Sequence, residues 1–219
     1  MLTDVHTHRV PLPTGRAIYN VRVTDAPVEI PDAVLTFSAG IHPWDAGYKV
    51  PPDAMDGLLR DPRCVAVGEI GLDRLTGPPL PQQQAIFEGQ MELACYFAKP
   101  VIVHSVRTQG EVIGTLRRFP KADRVMIHGF SQRAMTALRW LDQGCFLSYG
   151  ASLVTGHPAV IASLKITPLN RLFLESDDAV VPLEVIYEAA ANALKLPVRE
   201  LSEMINHNYL TFFSNGKLA

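Results

Sequence analysis

A chain of 219 residues, 47% hydrophobic and 19% charged, is long enough to bury one sizeable core, and a single domain over 1–219 is expected. Its net charge of −2 excludes the broad positive field with which a protein coats long duplex DNA. It leaves short or single-stranded nucleic acid open, because bound metal ions add positive charge that a residue count omits. The start, Met1-Leu2-Thr3-Asp4, is neither basic nor apolar, and no segment approaches the ~18 apolar residues of a membrane span. No membrane association and a cytoplasmic location follow as expectations. The three cysteines, Cys64, Cys95 and Cys145, are scattered with no CxxC pair and read as buried, reduced thiols.

Short apolar runs alternate with helical patterns, the signature of an α/β fold with a largely parallel sheet. Strands are predicted over 2–8, 17–23, 34–40, 64–70, 100–104, 124–128, 145–150 and 171–176. Helices are predicted over 53–60, 82–98, 109–119, 131–142, 158–164 and 181–194, with C-terminal pieces over 198–205 and 208–213. In the longest, Phe87, Met91, Leu93, Ala94 and Phe97 recur at helical intervals, while Gln83, Glu88 and Glu92 are assigned to water. Asp53 and Ser131 are expected N-caps. Only residues 9–15, with Pro11, Pro13 and Gly15, separate the first two strands, fewer than the dozen or so of a parallel crossover. Residues 24–33 also lack a helical pattern. The sum is a (β/α) TIM-like barrel, truncated around its second β/α unit and there either distorted or partly antiparallel.

In Asp4-Val5-His6-Thr7-His8 the two imidazoles are two apart on a strand, so they project from one face. By itself His-x-His equally fits two histidines of a turn. Other strands, however, also end in metal ligands: Glu69 after Val65-Ala66-Val67-Gly68, His104 after Val101-Ile102-Val103, His128 after Val125-Met126-Ile127, and Asp177 after Leu172 to Ser176. Barrel enzymes build their sites at the C-terminal ends of strands. Six such ligands, His6, His8, Glu69, His104, His128 and Asp177, exceed the needs of one tetrahedral ion, and a carboxylate shared between two ions is the economical solution. Glu69 is the candidate bridge. Imidazole with carboxylate suits Zn, Mn, Fe or Ni better than a site reserved for Mg or Ca. The identity of the ions stays open among Zn, Mn, Mg, Fe and Ni.

The series Asp4-x-His6-x-His8, Gly40-Ile41-His42-Pro43, Gly68-Glu69-Ile70-Gly71-Leu72-Asp73, Val103-His104-Ser105, His128-Gly129-Phe130-Ser131 and Glu175-Ser176-Asp177 resembles the TatD family of metal-dependent hydrolases. The helix from Pro81-x-Gln83 to Pro100 and the segment from Asn208 to Phe213 resemble their counterparts there. The resemblance implies that His6, His8, Glu69 and Asp177 surround one metal while Glu69, His104 and His128 surround the second. It also implies a nuclease, including 3′→5′ exodeoxyribonucleases among its relatives. The chemistry agrees: two divalent ions over two ligand carboxylates leave about +2 for a phosphodiester to neutralise. A two-metal-activated water is then the nucleophile, with Asp177 orienting or deprotonating it. The expected partner is a phosphodiester substrate, short or single-stranded DNA, with no obligate protein partner.

This chain departs from the family pattern at several positions. Trp44 stands where a second histidine usually follows His42-Pro43, and His42 itself faces either a ligand group, the substrate or its own turn. Asp73 contacts a ligand-bearing histidine or caps the loop at Arg74. Arg107, one place later than the family's arginine, and Arg74 are phosphate contacts or solvated loop residues. His157 reads as a loop or helix-start residue and His207 as a cap or surface residue in a C-terminal turn. Trp44, Arg74 and Tyr149 are candidate rim residues, the aromatics as platforms for a base. Shortened segments after His8 and Asp177 bear on specificity, since barrel loops set substrate choice. Two other readings remain: the same site hydrolysing a small phosphoester or a C–N bond, and a metal-binding scaffold without catalysis.

Overall fold

In a computed structural model of the protein, which describes residues 1–11, 15–50 and 54–213, eight strands follow one another in chain order in one sheet. They are β1 (Thr3–Thr7), β2 (Arg16–Arg22), β3 (Phe37–Gly40), β4 (Cys64–Asp73), β5 (Val101–Val106), β6 (Val125–Ile127), β7 (Phe146–Tyr149) and β8 (Leu172–Leu174). The helices are α1 (Ala54–Arg60), α2 (Leu80–Phe97), α3 (Gln109–Leu116), α4 (Ala134–Asp142), α5 (Pro158–Ile166), α6 (Leu183–Leu194) and α7 (Val198–Phe213). The class is α/β, as the alternation of patterns predicts. The chain divides into two compact units, residues 1–18 with 127–219 and residues 19–126.

In the unit of residues 19–126, β2 pairs with β3 in parallel, Tyr19 opposite Phe37, which corrects the antiparallel option for this region. The truncation stands: among the described residues no helix lies between β1 and β3. β4 runs three residues past its expected end because Gly71, Leu72 and Asp73 pair with His104, Ser105 and Val106 of β5. Gly71 (φ 140°) permits this approach, since a β-carbon there would lie 2.1 Å from the His104 carbonyl oxygen. Helix α2 ends in the left-handed residue Ala98, with the Lys99 N–H bonded to the Ala94 carbonyl and Pro100 beyond. Its buried face is Gln83, Phe87, Gln90, Met91 and Ala94, so Gln83 faces the interior rather than water. The expected cap Asp53 lies outside the described residues.

In the other unit, β7 pairs with β8 in parallel, and the chain after β8 returns to β1: the Asp177 N–H donates to the His6 carbonyl at 2.9 Å and the His8 N–H to the Asp177 carbonyl at 3.1 Å. Phe173 and Phe212 are buried, with Phe146 stacked on Phe173 at 5.4 Å; each fully buried ring contributes roughly 1.5–3 kcal/mol. The two expected C-terminal pieces are one helix, α7. Asn206 and Asn208 do not break it because their amides have partners: Asn206 Nδ2 donates to the Ser202 and Met1 carbonyls, and Asn208 Nδ2 to those of Leu169 and Leu172. Helix α4 begins three residues after Ser131, at Ala134, with Arg133 at the N-cap and no side-chain cap bond. The Phe130 N–H, just before Ser131, is bonded to the Ser148 carbonyl at 2.8 Å. His157 does cap α5, its Nδ1 accepting the Ala159 N–H, whereas His207 lies exposed within α7. Among the described residues no helix is long and apolar enough to cross a membrane. The cysteines are free, Cys64 and Cys145 buried and Cys95 half-buried.

Candidate functional site

Each unit carries its own group of ligand-type side chains. In the first, β1 places His6 and His8 on one face, their rings 5.1 Å apart and edge-on, as strand alternation requires. The Asp177 carboxylate faces both, with Oδ1 3.6 Å from His6 Nε2 and 3.4 Å from His8 Nε2. Asp177 takes a left-handed backbone (φ 55°), a conformation that Asp tolerates better than most residues and that recurs where a side chain must be aimed. His128, at the end of β6, stacks at 4.5 Å on His6 and turns Nδ1 toward Glu175 Oε1 at 3.4 Å. Glu175 is fully buried, and its Oε1 also accepts the Gly129 N–H at 2.6 Å. Asp4 is not among these ligand-type groups: its carboxylate accepts the Ser176 hydroxyl and N–H at 2.6 and 3.0 Å, tying β1 to the end of β8. Burial pushes the Asp4 carboxyl up to about 6, against those hydrogen bonds.

In the unit of residues 19–126 the focus is Glu69 on β4, buried with Asn20 and His42 and flanked by the half-buried His104. Asn20 grips it twice, Oδ1 accepting the Glu69 N–H at 2.9 Å and Nδ2 donating to Oε2 at 3.5 Å. His42 Nδ1 accepts the Trp44 N–H at 3.2 Å, so the ring proton sits on Nε2 and is donated to Glu69 Oε1 at 3.0 Å. Burial holds His42 below the usual histidine range despite that carboxylate, which keeps the ring neutral. His104 is arranged the other way round. Its Nε2 meets Asp73 Oδ2 at 3.1 Å while its Nδ1 lies 2.7 Å from Glu69 Oε1. Burial pushes the Asp73 carboxyl up, but the Trp44 indole, the Leu75 N–H and His104 outweigh it and hold the group below its ordinary value. The His104 ring thus lies between two carboxylates, Glu69 at Nδ1 and Asp73 at Nε2.

His42, Glu69 and His104 offer two imidazole nitrogens and a carboxylate oxygen within 4.8 Å of one another. In the other unit His6, His8 and Asp177 likewise offer two imidazole nitrogens and a carboxylate oxygen within 4.8 Å of one another. Both groups fit a divalent ion of the imidazole-and-carboxylate class. A family model described as TatD related DNase matches residues 20–214. The chain belongs to the TatD-related DNase family.

Among relatives, it is 35% identical over 162 residues to an uncharacterized metal-dependent hydrolase of Haemophilus influenzae, covering 68% of this chain and 61% of the relative. It is 35% identical over 150 residues to the 3'-5' ssDNA/RNA exonuclease TatD of Edwardsiella piscicida, covering 64% and 56%. The chain thus matches roughly three fifths of the length of these curated relatives. Against the crystal structure of YjjV, a TatD homolog from Escherichia coli K12, the TM-score is 0.82 at 22% identity, covering 97% of this chain and 98% of the other. That likeness shows the fold, an α/β TIM-like barrel, as the sequence predicts.

Within the TatD frame, several expectations are refined. His42 is a donor to Glu69, and Asp73 contacts the ligand-type His104 while also accepting the Leu75 and Thr76 N–H groups of its own loop. Arg74 is occupied by the Arg107 carbonyl and the Glu111 carboxylate, and Arg107 is exposed with a left-handed backbone. Trp44 is 43% exposed, as a rim residue should be, but Tyr149 is wholly buried with its hydroxyl on Thr167 at 2.8 Å. The sequence reading missed four contributors. Asn20 holds Glu69, Glu175 faces His128, and two buried glutamines of α2 clamp loops: Gln83 at Asp73, and Gln90 at both N–H and carbonyl of Ile41, next to His42. The available signals were the parity of Glu175 with Asp177 and the placing of Gln83 and Gln90 on the apolar stripe of α2.

Proposed function

We propose that this chain is a metal-dependent hydrolase of phosphodiester bonds, a deoxyribonuclease acting on short or single-stranded DNA and holding two divalent ions. The observation that carries the reading is the presence in each unit of an imidazole-and-carboxylate group, His42, Glu69 and His104 in one and His6, His8 and Asp177 in the other, each within 4.8 Å. His6, His8 and Asp177 would hold one ion, and Glu69 with His104 the other. Such an ion, when bound, lowers the pKa of water toward neutrality and offsets charge on phosphoryl oxygens. His42 orients Glu69 by donating Nε2–H, and Asp73 holds His104 from its Nε2 side. The Asp177 carboxylate is the group placed to take a proton from an attacking water. Glu175, with Oε1 3.4 Å from His128 Nδ1, would orient that ring. Three free cysteines support a reducing, cytoplasmic location.

The test is turnover of single-stranded DNA, duplex DNA and a chromogenic phosphodiester by the purified protein with Mn, Zn or Mg, beside an Asp177→Ala control. Metal-stimulated cleavage of DNA, lost in the control, is expected. Turnover of the chromogenic ester alone would move the reading to a small phosphoester. No turnover of any phosphoester, or equal turnover by the control, would overturn it.

A further inference from the structure

Arg9 directly follows His8 and Asp178 directly follows Asp177, so a bond between the two ties together the segments that leave both ligand-type residues. The Arg9 side chain makes that bond. Its Nη2 donates to the Asp178 carbonyl at 2.9 Å, while its backbone N–H is held by Thr7 Oγ1 at 3.2 Å. The bond uses one of the five N–H donors of a guanidinium, and its acceptor is neutral. Arg22, Arg74 and Arg118 are each paired with a carboxylate. Arg9 is exposed and, among the described residues, has no such partner. Its positive charge is therefore held in place, uncompensated, just beyond the end of β1.

The same two segments frame a cavity of about 390 Å³, within the ~300–1,000 Å³ of small-ligand sites. One lip carries Arg9, Val10 and Pro11, and the other carries Val180, Val181 and Pro182. Val10 is 48% and Val180 84% exposed, apolar surface that gains by being covered. Of the polar groups in the wall, Ser176 Oγ meets Asp4 Oδ2 at 2.6 Å and Thr7 Oγ1 at 3.0 Å, so these three satisfy one another. Arg16 and Glu184 also line the cavity. Arg16 lies beside Leu2 at the start of β1, the end away from His8, and is taken up by Asn206 Oδ1 and the Tyr209 ring. Glu184 is in the first turn of α6, where the helix N-terminus offsets its charge. What remains is an apolar wall with a fixed cation at its edge on the His8 side, which matches a nucleotide: a flat base for the wall and a phosphate for the guanidinium.

We infer that Arg9 is a substrate-binding residue that takes a backbone phosphate next to the one being hydrolysed, with the base of that nucleotide on the lips of the cavity. The inference deepens the function proposed above and rests on it for the position of the scissile phosphate. It makes the site selective for oligonucleotides over isolated phosphodiesters, because only a strand brings a second phosphate.

Two probes separate the roles. A fluorescein-labelled single-stranded hexanucleotide with a cleavage-resistant phosphorothioate backbone reports binding to the manganese-loaded protein, by anisotropy over a salt series. A chromogenic phosphodiester, which carries one phosphate, reports turnover. Arg9→Ala should weaken hexanucleotide binding about tenfold. It should also lower the slope of log affinity against log salt by about 0.7, the share of one phosphate contact on a single strand. Arg9→Lys keeps the charge and should keep the slope. Val180→Asp, at a position too exposed to disturb folding, should weaken hexanucleotide binding from the base side of the cavity. Turnover of the chromogenic ester should be unchanged in all three. An unchanged affinity and slope in Arg9→Ala, an equal loss on both probes, or no binding of the hexanucleotide by the unsubstituted chain would overturn the inference. Absence of turnover of the ester and of an ordinary strand by the unsubstituted chain would instead sink the phosphodiesterase reading, and the salt slope would still decide the role of Arg9.

Discussion

Gln83 holds the peptide of Asp73 at both ends: its Oε1 accepts the Asp73 N–H at 2.8 Å and its Nε2 donates to the Asp73 carbonyl at 2.9 Å. The same amide nitrogen reaches the Thr76 and Pro78 carbonyls, so a side chain 1% exposed organises the whole loop behind His104. Replacing it with Leu keeps the volume and leaves a buried N–H and carbonyl unmatched, at a cost of about 1–3 kcal/mol. Urea unfolding of Gln83→Leu should show a lower midpoint at an unchanged m-value, and the Asp73 amide should exchange faster with solvent. A midpoint equal to that of the unsubstituted chain would show that the clamp contributes nothing.

That clamp marks the boundary of what could be read from the sequence. His6 and His8, Glu69, His104, His128 and Asp177 were legible because each is a costly polar residue at the end of an apolar strand, a pattern that depends only on local periodicity. The eight strands were legible for the same reason. Gln83 and Gln90 were not, since a hydrophobicity pattern assigns polar side chains to water unless it knows which distant loop carbonyls will meet them. Asn20 and Glu175 failed likewise: their partners, Glu69 and His128, lie 49 and 47 residues away in the chain. Tyr149 erred in the opposite direction, because the hydroxyl that suggests a rim residue is matched internally by Thr167.

Gly71 is a second place where geometry leaves little latitude. A methyl group there would sit 2.1 Å from the carbonyl oxygen of His104 in a backbone region (φ 140°) that side chains rarely adopt. Overpacking and backbone strain of this kind cost about 1–3 kcal/mol each. Gly71→Ala should therefore lose about 2–6 kcal/mol and displace β5 from β4 at His104. A thermal midpoint within a degree of the unsubstituted chain would contradict the close approach.

The cysteines should separate by burial. Burial raises the Cys64 thiol to about 11 and the Cys145 thiol to about 12. A raised pKa means less thiolate at any working pH, about one molecule in a thousand or fewer at pH 8, and the thiolate is the reactive form. A thiol-specific reagent at pH 8 should label the half-buried Cys95 alone in the native protein and all three cysteines in guanidinium. Rapid native labelling of Cys64 or Cys145 would mean that the strands bearing them open readily.

Metal binding should appear as stability, and the two ligand groups of the first unit should respond differently to substitution. An ion bound to the native state alone, at a hundredfold excess over its Kd, adds about 2.7 kcal/mol. For a chain of this size that is a rise of roughly 5–10 °C in Tm. Asp177→Ala removes the carboxylate that faces both His6 and His8, so the increment from this ion should vanish, with the metal-free Tm falling by a few degrees because Ala tolerates the left-handed backbone (φ 55°) less well than Asp. Glu175→Gln keeps an oxygen for the Gly129 N–H but removes the negative charge facing His128. The expected result is a metal increment retained at higher metal concentration, with affinity lowered about tenfold. Differential scanning fluorimetry across a zinc or manganese titration distinguishes these cases. Equal increments in Asp177→Ala and the unsubstituted chain would remove Asp177 from the set of ligands.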